Sequence, residues 1–237
     1  MKNATKKLVM LSLAVLLVAA TVQAATVEVD TSADSWTRST AQDANYGTHE
    51  NVSSHYRSDG FIAKGYMRFD ISGLAQAVDS ATLSLVFAYN TRGDAGDVFV
   101  INVYGLDNGT AETTWTETGI TWNNAPGEPD NTPADNAVEN AALLGTIDVE
   151  INDGVGTTYT LSSAALVTFL NADSNDEVTI ILAARDLNTE TEGIAFASRN
   201  NTTYAAPKLS MTEVPEPATM SLLGIGGLLA LVRRRRK

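Results

Sequence analysis

The 237-residue chain has no cysteine. Disulfides and thiolate metal sites are therefore excluded, and an exported fold built from it has only its core to hold it together. Histidine is scarce, at two residues, which removes most of the usual equipment for acid–base catalysis and zinc binding. Cations are scarce in the body of the chain. Between Ala25 and Val214 there are 8 Lys and Arg against 27 Asp and Glu, a net charge of −19, whereas the whole chain carries −12 because its other cations sit at the two ends. So acidic a body lacks the basic footprint that nucleic acid demands, and it favours solubility and neutral or cationic partners. A Gly-x-Ser-x-Gly elbow, a His-Glu-x-x-His pair and a phosphate-cradling glycine loop are also missing, so the best-marked hydrolase, metalloprotease and nucleotide chemistries have no footing.

Long apolar runs occur only at the ends. At the start, Lys2, Lys6 and Lys7 precede a thirteen-residue apolar stretch, Leu8 to Ala20, and Val22-Gln23-Ala24 offers a small-x-small cleavage site. That order predicts a secretory signal over residues 1–24, its apolar part being short of the roughly 20 residues a spanning helix needs. At the other end, Val214-Pro215-Glu216-Pro217 precedes a second thirteen-residue run, Met220 to Val232, and then Arg233, Arg234, Arg235, Arg236 and Lys237. Arginines beside an apolar segment hold that end on the cytoplasmic side, leaving the body outside.

The order Pro215-Glu216-Pro217, apolar run with Gly224, Gly226 and Gly227, then arginine cluster, resembles the PEP-CTERM sorting signal of Gram-negative bacteria. That resemblance covers residues 214–237. It implies exosortase, a membrane peptidase, as a partner, transient anchoring in the inner membrane, and a final place at the cell surface or in the extracellular matrix. Whether the tail is cleaved or kept as a short anchor stays open. The two prolines keep the segment extended, which suits a peptidase that binds a strand-like substrate.

The body, residues 25–213, reads as all-β. Its apolar residues alternate or occur in short runs broken by Gly, Asn, Asp and Pro, which predicts strands over Thr26–Asp30, Asn51–Ser54, Gly65–Phe69, Ala81–Tyr89, Val98–Tyr104, Leu144–Glu150, Thr157–Leu161, Val178–Ala184, Ile194–Ser198 and Lys208–Thr212. Leu83, Leu85 and Phe87 mark one clearly apolar face, and two such faces packed together give a sandwich. Gly93-Asp94-Ala95-Gly96 reads as a hairpin turn, and the proline-rich stretch from Pro126 to Asn140 as an exposed loop. Ser162 to Leu170, with Ala165, Leu166, Phe169 and Leu170 at helical spacing behind a serine cap, predicts one short helix closing an edge.

Carbohydrate recognition needs aromatic faces flanked by polar or charged groups. Trp36, Tyr46, Tyr56 and Tyr66 lie close in sequence to Arg38, His49, His55, Arg57, Lys64 and Arg68, a stretch that holds half of the body's basic residues. A local positive patch of that kind on an acidic body favours an anionic polysaccharide. The competing expectation is that Trp36 and Tyr46 are core residues. Trp115 and Trp122 read as parts of a strand and turn packed into the core. Calcium is the one cofactor left open: Asp94 and Asp97 in a glycine-rich loop, or Asp107 with Asn108, supply hard oxygen ligands, although without the spacing of an EF-hand. His49, His55 and Asp59 are a weaker alternative, on a loop with few ligands. With 27 acidic residues in the body, chance carboxylate pairs are abundant and identify no glycosidase.

Several phrases recur in a telling order: Asp34-Ser35-Trp36-Thr37-Arg38, Asn45-Tyr46-Gly47, Met67-Arg68-Phe69-Asp70-Ile71-Ser72-Gly73-Leu74, Ser80-Ala81-Thr82-Leu83-Ser84-Leu85, Ile120-Thr121-Trp122-Asn123-Asn124-Ala125-Pro126, Phe196-Ala197-Ser198-Arg199 and Pro207-Lys208-Leu209-Ser210. Together they resemble the DNRLRE family over nearly the whole body. The resemblance implies a jelly-roll β-sandwich grouped with carbohydrate-binding modules, some of whose members accompany polysaccharide-degrading enzymes or bind alginate; related sandwiches often hold structural calcium. No catalytic partner domain accompanies it in this sequence. The expected function is thus a non-catalytic surface or matrix protein that binds polysaccharide, with Trp36, Arg38, Tyr46, Tyr56, Arg57 and Lys64 as ligand residues. The alternatives are a structural biofilm matrix component without specific sugar binding, and a polysaccharide lyase or hydrolase whose site is unrecognised.

Overall fold

The computed structural model describes residues 24–57, 59–90, 98–109, 114–128, 136, 138–185 and 193–215. Eleven strands and one α-helix occur among them: β1 (Thr26–Asp30), β2 (Ala33–Arg38), β3 (Asn51–Tyr56), β4 (Ile62–Asp70), β5 (Val78–Asn90), β6 (Val98–Leu106), β7 (Ala141–Glu150), β8 (Thr158–Leu161), α1 (Ala164–Ala172), β9 (Glu177–Ala184), β10 (Ile194–Ala197) and β11 (Lys208–Glu213). Residues 1–23 of the predicted signal and the tail beyond Pro215 lie outside the described residues. No helix among the described residues is long and apolar enough to cross a membrane.

All pairings are antiparallel, and they form two layers. One runs β2-β4-β9-β6-β7. The other is built around β5, whose first half pairs with β11 on one side and β8 on the other, while β1 flanks β11 and the second half of β5 pairs with β10, which leads to β3. Two residue pairs, His55↔Ala63 and Tyr56↔Ile62, carry the β3–β4 hairpin around the corner, so the layers form one curled sheet.

The core lies between the layers. Leu83, Leu85, Phe87, Leu209 and Met211 meet Met67, Phe69, Ile101, Val103, Ile180 and Leu182 there. Each fully buried side chain of this kind contributes roughly 1.5–3 kcal/mol. The alternation read in β5 is real: Ala81, Leu83, Leu85 and Phe87 are buried while Thr82, Ser84 and Val86 between them are half-exposed. Strand β9 differs, being buried along both faces from Val178 to Ala184. A continuous apolar run fits a strand covered on both sides, and the cover on the outer side is the segment from Trp115 to Ala125, which builds a second cluster with Ala33, Tyr66, Leu106 and Ile181.

Helix α1 starts two residues after the predicted position. Ser163 is its cap, the Oγ accepting the Leu166 N–H at 3.0 Å and donating to the Leu144 carbonyl at 2.6 Å. Leu166 and Leu170 face the core, and the helix packs on β5 and β7.

Three expectations need correction. Strand β2 is absent from the sequence reading because Ala-Asp-Ser-Trp-Thr-Arg has no apolar alternation; its polar residues are nevertheless buried, because its side chains meet covering loops on both faces. Strands β5 and β6 do not form a hairpin, since they belong to opposite layers, and the Gly93–Gly96 turn itself lies outside the described residues. The Trp115–Trp122 segment is core, as expected, but contains no strand: its backbone closes on itself through the Gly119 and Ile120 N–H groups donating to the Thr116 carbonyl.

Candidate functional site

Along the edge formed by β2, a cluster of rings and guanidinium groups closes the mouth of the sandwich. Trp36 and Arg38, two residues apart on one strand, project from the same face. The loop after β2 lays Tyr46 against Trp36, ring centroids 3.9 Å apart and planes inclined by 21°. His49 meets both rings edge-on, at 5.8 and 5.1 Å. The Arg38 guanidinium carbon sits 5.1 Å from the Tyr46 centroid. Phe61, from the β3–β4 turn, joins the same cluster, and Arg57 covers it at 5.2 Å. The turn is tied to the end of β2 by Ser39, whose N–H donates to the Ile62 carbonyl at 2.9 Å and whose hydroxyl donates to the Gly60 carbonyl at 2.8 Å. Two arginines thus flank one aromatic cluster.

Their electrostatic situations differ. Arg57 is ion-paired with Asp59. Arg38 has no carboxylate within ion-pair distance among the described residues, while the Nε of each arginine, like the Trp36 Nε1, is buried with no hydrogen-bond partner. On a body with 27 acidic residues, an arginine without an acidic neighbour is conspicuous.

The proposed aromatic platform is largely closed. Trp36 is 8% exposed and Tyr46 9%, and they spend ring faces on each other, so neither offers the broad open face on which a sugar ring stacks. The edges of this cluster, with His49 and the two guanidinium groups, are what reaches solvent. Tyr56 is half-buried against the main core.

Lys64 is elsewhere and unavailable. It points to the outer face of the β2-β4-β9-β6-β7 layer, is wholly buried, and pairs with Glu128 at 3.0 Å beneath the covering segment. Tyr66 donates to the same carboxylate at 3.1 Å, and burial beside that charge holds its phenol well above the usual range. The Lys64 Nζ also lies 5.5 Å from the Trp122 ring centroid. Its partners belong to the fold, so as a sugar-contacting residue Lys64 is set aside: a buried charge already paired has no surface on which to meet a polymer.

A polar knot holds this edge to the rest of the fold. Asp34 accepts the Arg199 backbone N–H at 2.6 Å and the Thr31 hydroxyl at 3.2 Å. Burial raises its carboxyl to about 6; the Arg199 N–H opposes that shift and the neighbouring Glu117 charge adds to it. Glu117 in turn accepts from Asp34 N at 3.3 Å and Arg199 Nη1 at 3.2 Å. Asn45 donates to the Glu117 and Ile120 carbonyls at 2.8 and 2.7 Å and accepts the Gly47 N–H at 3.1 Å. Gly47 fits because a Cβ would lie 1.9 Å from the Glu117 carbonyl oxygen. Several of the sequence phrases therefore meet at one place.

The remaining candidates are not brought together. His49 and His55 join different rings, Trp36–Tyr46 and Phe61, while Asp59 pairs with Arg57. No group of three or more potential metal-ligating side chains occurs among the described residues, and Asp94 and Asp97 lie outside them. So do Glu216, Pro217 and Arg233 to Arg236 of the sorting motif; Pro215 is described, directly after the Val214 N–H donates to the Ala77 carbonyl at 2.7 Å.

Comparison with known proteins adds two matches. Residues 213–237 match the PEP-CTERM protein-sorting motif, which implies export and a surface or extracellular location. No curated protein matches the chain. Residues 25–213, the whole sandwich from the residue before β1 to the end of β11, match the model of a family of sugar-binding domains, and the chain accordingly belongs to carbohydrate-binding module family 96.

Proposed function

We propose that the exported body is a non-catalytic polysaccharide-binding protein of the cell surface or extracellular matrix, and that it takes an anionic polymer, such as its own cell's exopolysaccharide, at the β2 edge. The observation that carries this reading is Arg38, held on Tyr46 with no carboxylate within ion-pair distance among the described residues. A guanidinium fixed in position presents forked donors to a carboxylate or sulfate at little further ordering cost. Arg57, across the same cluster, supplies a second cation whose Asp59 partner a polymer acid group can replace. Trp36 and Tyr46 act by positioning Arg38, and His49 adds an exposed ring edge.

The tail completes the reading. The peptide passes through the inner membrane with Arg233 to Arg236 on the cytoplasmic side, and exosortase processes it at Pro215-Glu216-Pro217 in a Gram-negative cell. Affinity electrophoresis in gels containing a polyuronate tests the binding claim: Arg38→Ala and Arg57→Ala each weaken retardation roughly tenfold, as expected for a charge-assisted hydrogen bond worth about 1.5–3 kcal/mol. Equal retardation of both variants and the parent, with thermal unfolding unchanged, refutes it.

A further inference from the structure

At the opposite edge and opposite end of the same layer lies a groove of about 340 Å³ between α1 and the ends of β6 and β7. The register Arg38↔Ala63, with Lys64↔Ala183 beside it and Ile101↔Ala184 beyond, puts Arg38 level with Ile101, three strands away. The groove begins at Asp107, so it is about 14 Å across the layer and about 20 Å along it from the arginine edge. It belongs to a different surface.

The groove has three kinds of wall. Phe169 of α1 supplies a half-exposed ring that is fixed in place: a Cβ on Gly105 would lie 2.5 Å from its Cε2, so only glycine lets β6 press against the ring. Ala142 on β7 and Thr168 on α1 are short side chains that leave room beside it. At one end stand Asp107 and Asp173. Asp173 Oδ2 accepts the N–H groups of Asn175 and Asp176, at 3.2 and 2.7 Å, while its Oδ1 is buried without a partner. The Asp107 carboxylate has no hydrogen-bond donor among the described residues. Asn108 fixes the rim, donating to the Ala172 carbonyl at the end of α1 at 2.6 Å. No Lys or Arg lines the groove among the described residues.

We propose that this groove is a second carbohydrate subsite, which takes one neutral sugar unit. The C–H face of a pyranose packs on the Phe169 ring, and hydroxyls donate to the exposed Asp107 carboxylate, which has no competing donor among the described residues. The two carboxylates and the absence of a cation exclude a uronic acid or sulfated sugar, opposite in preference to the Arg38 edge. A volume near the lower end of ligand pockets suits one sugar ring and not a longer segment. This subsite does not depend on the anionic-polymer reading.

The test uses the full chain in mild detergent, isotopically labelled for NMR, and titrates neutral methyl glycosides (glucoside, galactoside, mannoside, xyloside), methyl glucuronide and calcium chloride separately; neutral glucan, galactan, mannan and xylan gels then separate capture of a polymer from that of a free sugar. At least one neutral glycoside shifts amides at Gly105, Asp107 and Phe169, and the glucuronide does not. Phe169→Ala weakens that binding roughly tenfold or more, Asp107→Asn several-fold, and Arg38→Ala leaves it unchanged. Because Phe169 also packs on Gly105, Ala165→Leu, at an exposed position on the groove wall, serves as the variant that fills the space without touching the core and abolishes the shifts. Shifts caused by calcium alone, or neutral-sugar binding indifferent to Ala165→Leu and Asp107→Asn, overturn the proposal, as does the absence of a shift with every glycoside.

Discussion

Asp34 offers the sharpest quantitative test of the β2 edge. Its carboxyl is raised from 3.8 to about 6, chiefly because burial penalises the charge. The folded protein therefore holds this proton more tightly than the unfolded chain does. Stability from this group is fully present below the unfolded value, near pH 4, and is lost as the pH rises through about 6. Linkage over that window gives about 1.4 kcal/mol more stability at pH 5 than at pH 7 and about 2.4 kcal/mol more at pH 4. Replacement by asparagine removes the titration while keeping an oxygen to accept from Arg199 N and the Thr31 hydroxyl. Urea unfolding of parent and Asp34→Asn at pH 5 and pH 7 isolates the effect, since titrations common to both proteins cancel in the difference. The variant should gain stability relative to the parent by about 1.4 kcal/mol on going from pH 5 to pH 7. A difference independent of pH would refute the burial argument, and one of opposite sign would mean that Arg199 dominates the site.

Other predictions concern neighbouring parts of the fold. Glu128→Ala leaves Lys64 buried without its carboxylate and should cost about 3–5 kcal/mol in chemical unfolding, whereas the double change Lys64→Met with Glu128→Leu should cost only about 1–3 kcal/mol, the part due to the Tyr66 hydroxyl that loses its acceptor. Gly47→Ala places a methyl group against the Glu117 carbonyl and should lower the melting temperature by at least several degrees, a loss of about 2 kcal/mol or more for a small domain. Glu213→Ala removes the acceptor that the Ala75 and Gln76 N–H groups share and should cost about 1–3 kcal/mol, measurable by urea unfolding. Val86→Thr, half-exposed on the outer side of β5, should change stability by less than about 0.5 kcal/mol and serves as a control.

The sequence made the sandwich legible wherever a strand buries one face only. Leu83, Leu85 and Phe87 alternate with Thr82, Ser84 and Val86 because the second face of β5 meets solvent, and that alternation identifies both the strand and its register. Strand β2 left no such trace, because both its faces are buried and its buried residues include the polar Thr37 together with Asp34 and Ser35, whose side chains are held by hydrogen bonds instead of apolar contact. The layer change between β5 and β6 was equally hidden: a Gly-Asp-Ala-Gly phrase favours a tight turn but does not say whether the next strand pairs with the last. Proximity in sequence matches proximity in space for Trp36, Arg38, Tyr46 and Arg57, since they lie on a strand, the loop after it and the adjoining turn. It also gathered Lys64, one strand position out of phase, whose side chain the pleat sends to the other face of the layer and under Trp122. Phe169 read simply as part of an amphipathic helix; its partial exposure depends on Gly105, far away in the chain.

The central claim is that an acidic sandwich grips an anionic polysaccharide through arginines at its β2 edge. Affinity electrophoresis of the body, parent against the Arg38→Ala/Arg57→Ala double variant, in gels containing a polyuronate or a neutral glucan, each with calcium and with chelator, measures it most directly. Retardation by the polyuronate that survives chelation and disappears in the double variant is the predicted result. Migration of parent and variant that is the same in both polymers would contradict it and leave a structural matrix component in its place.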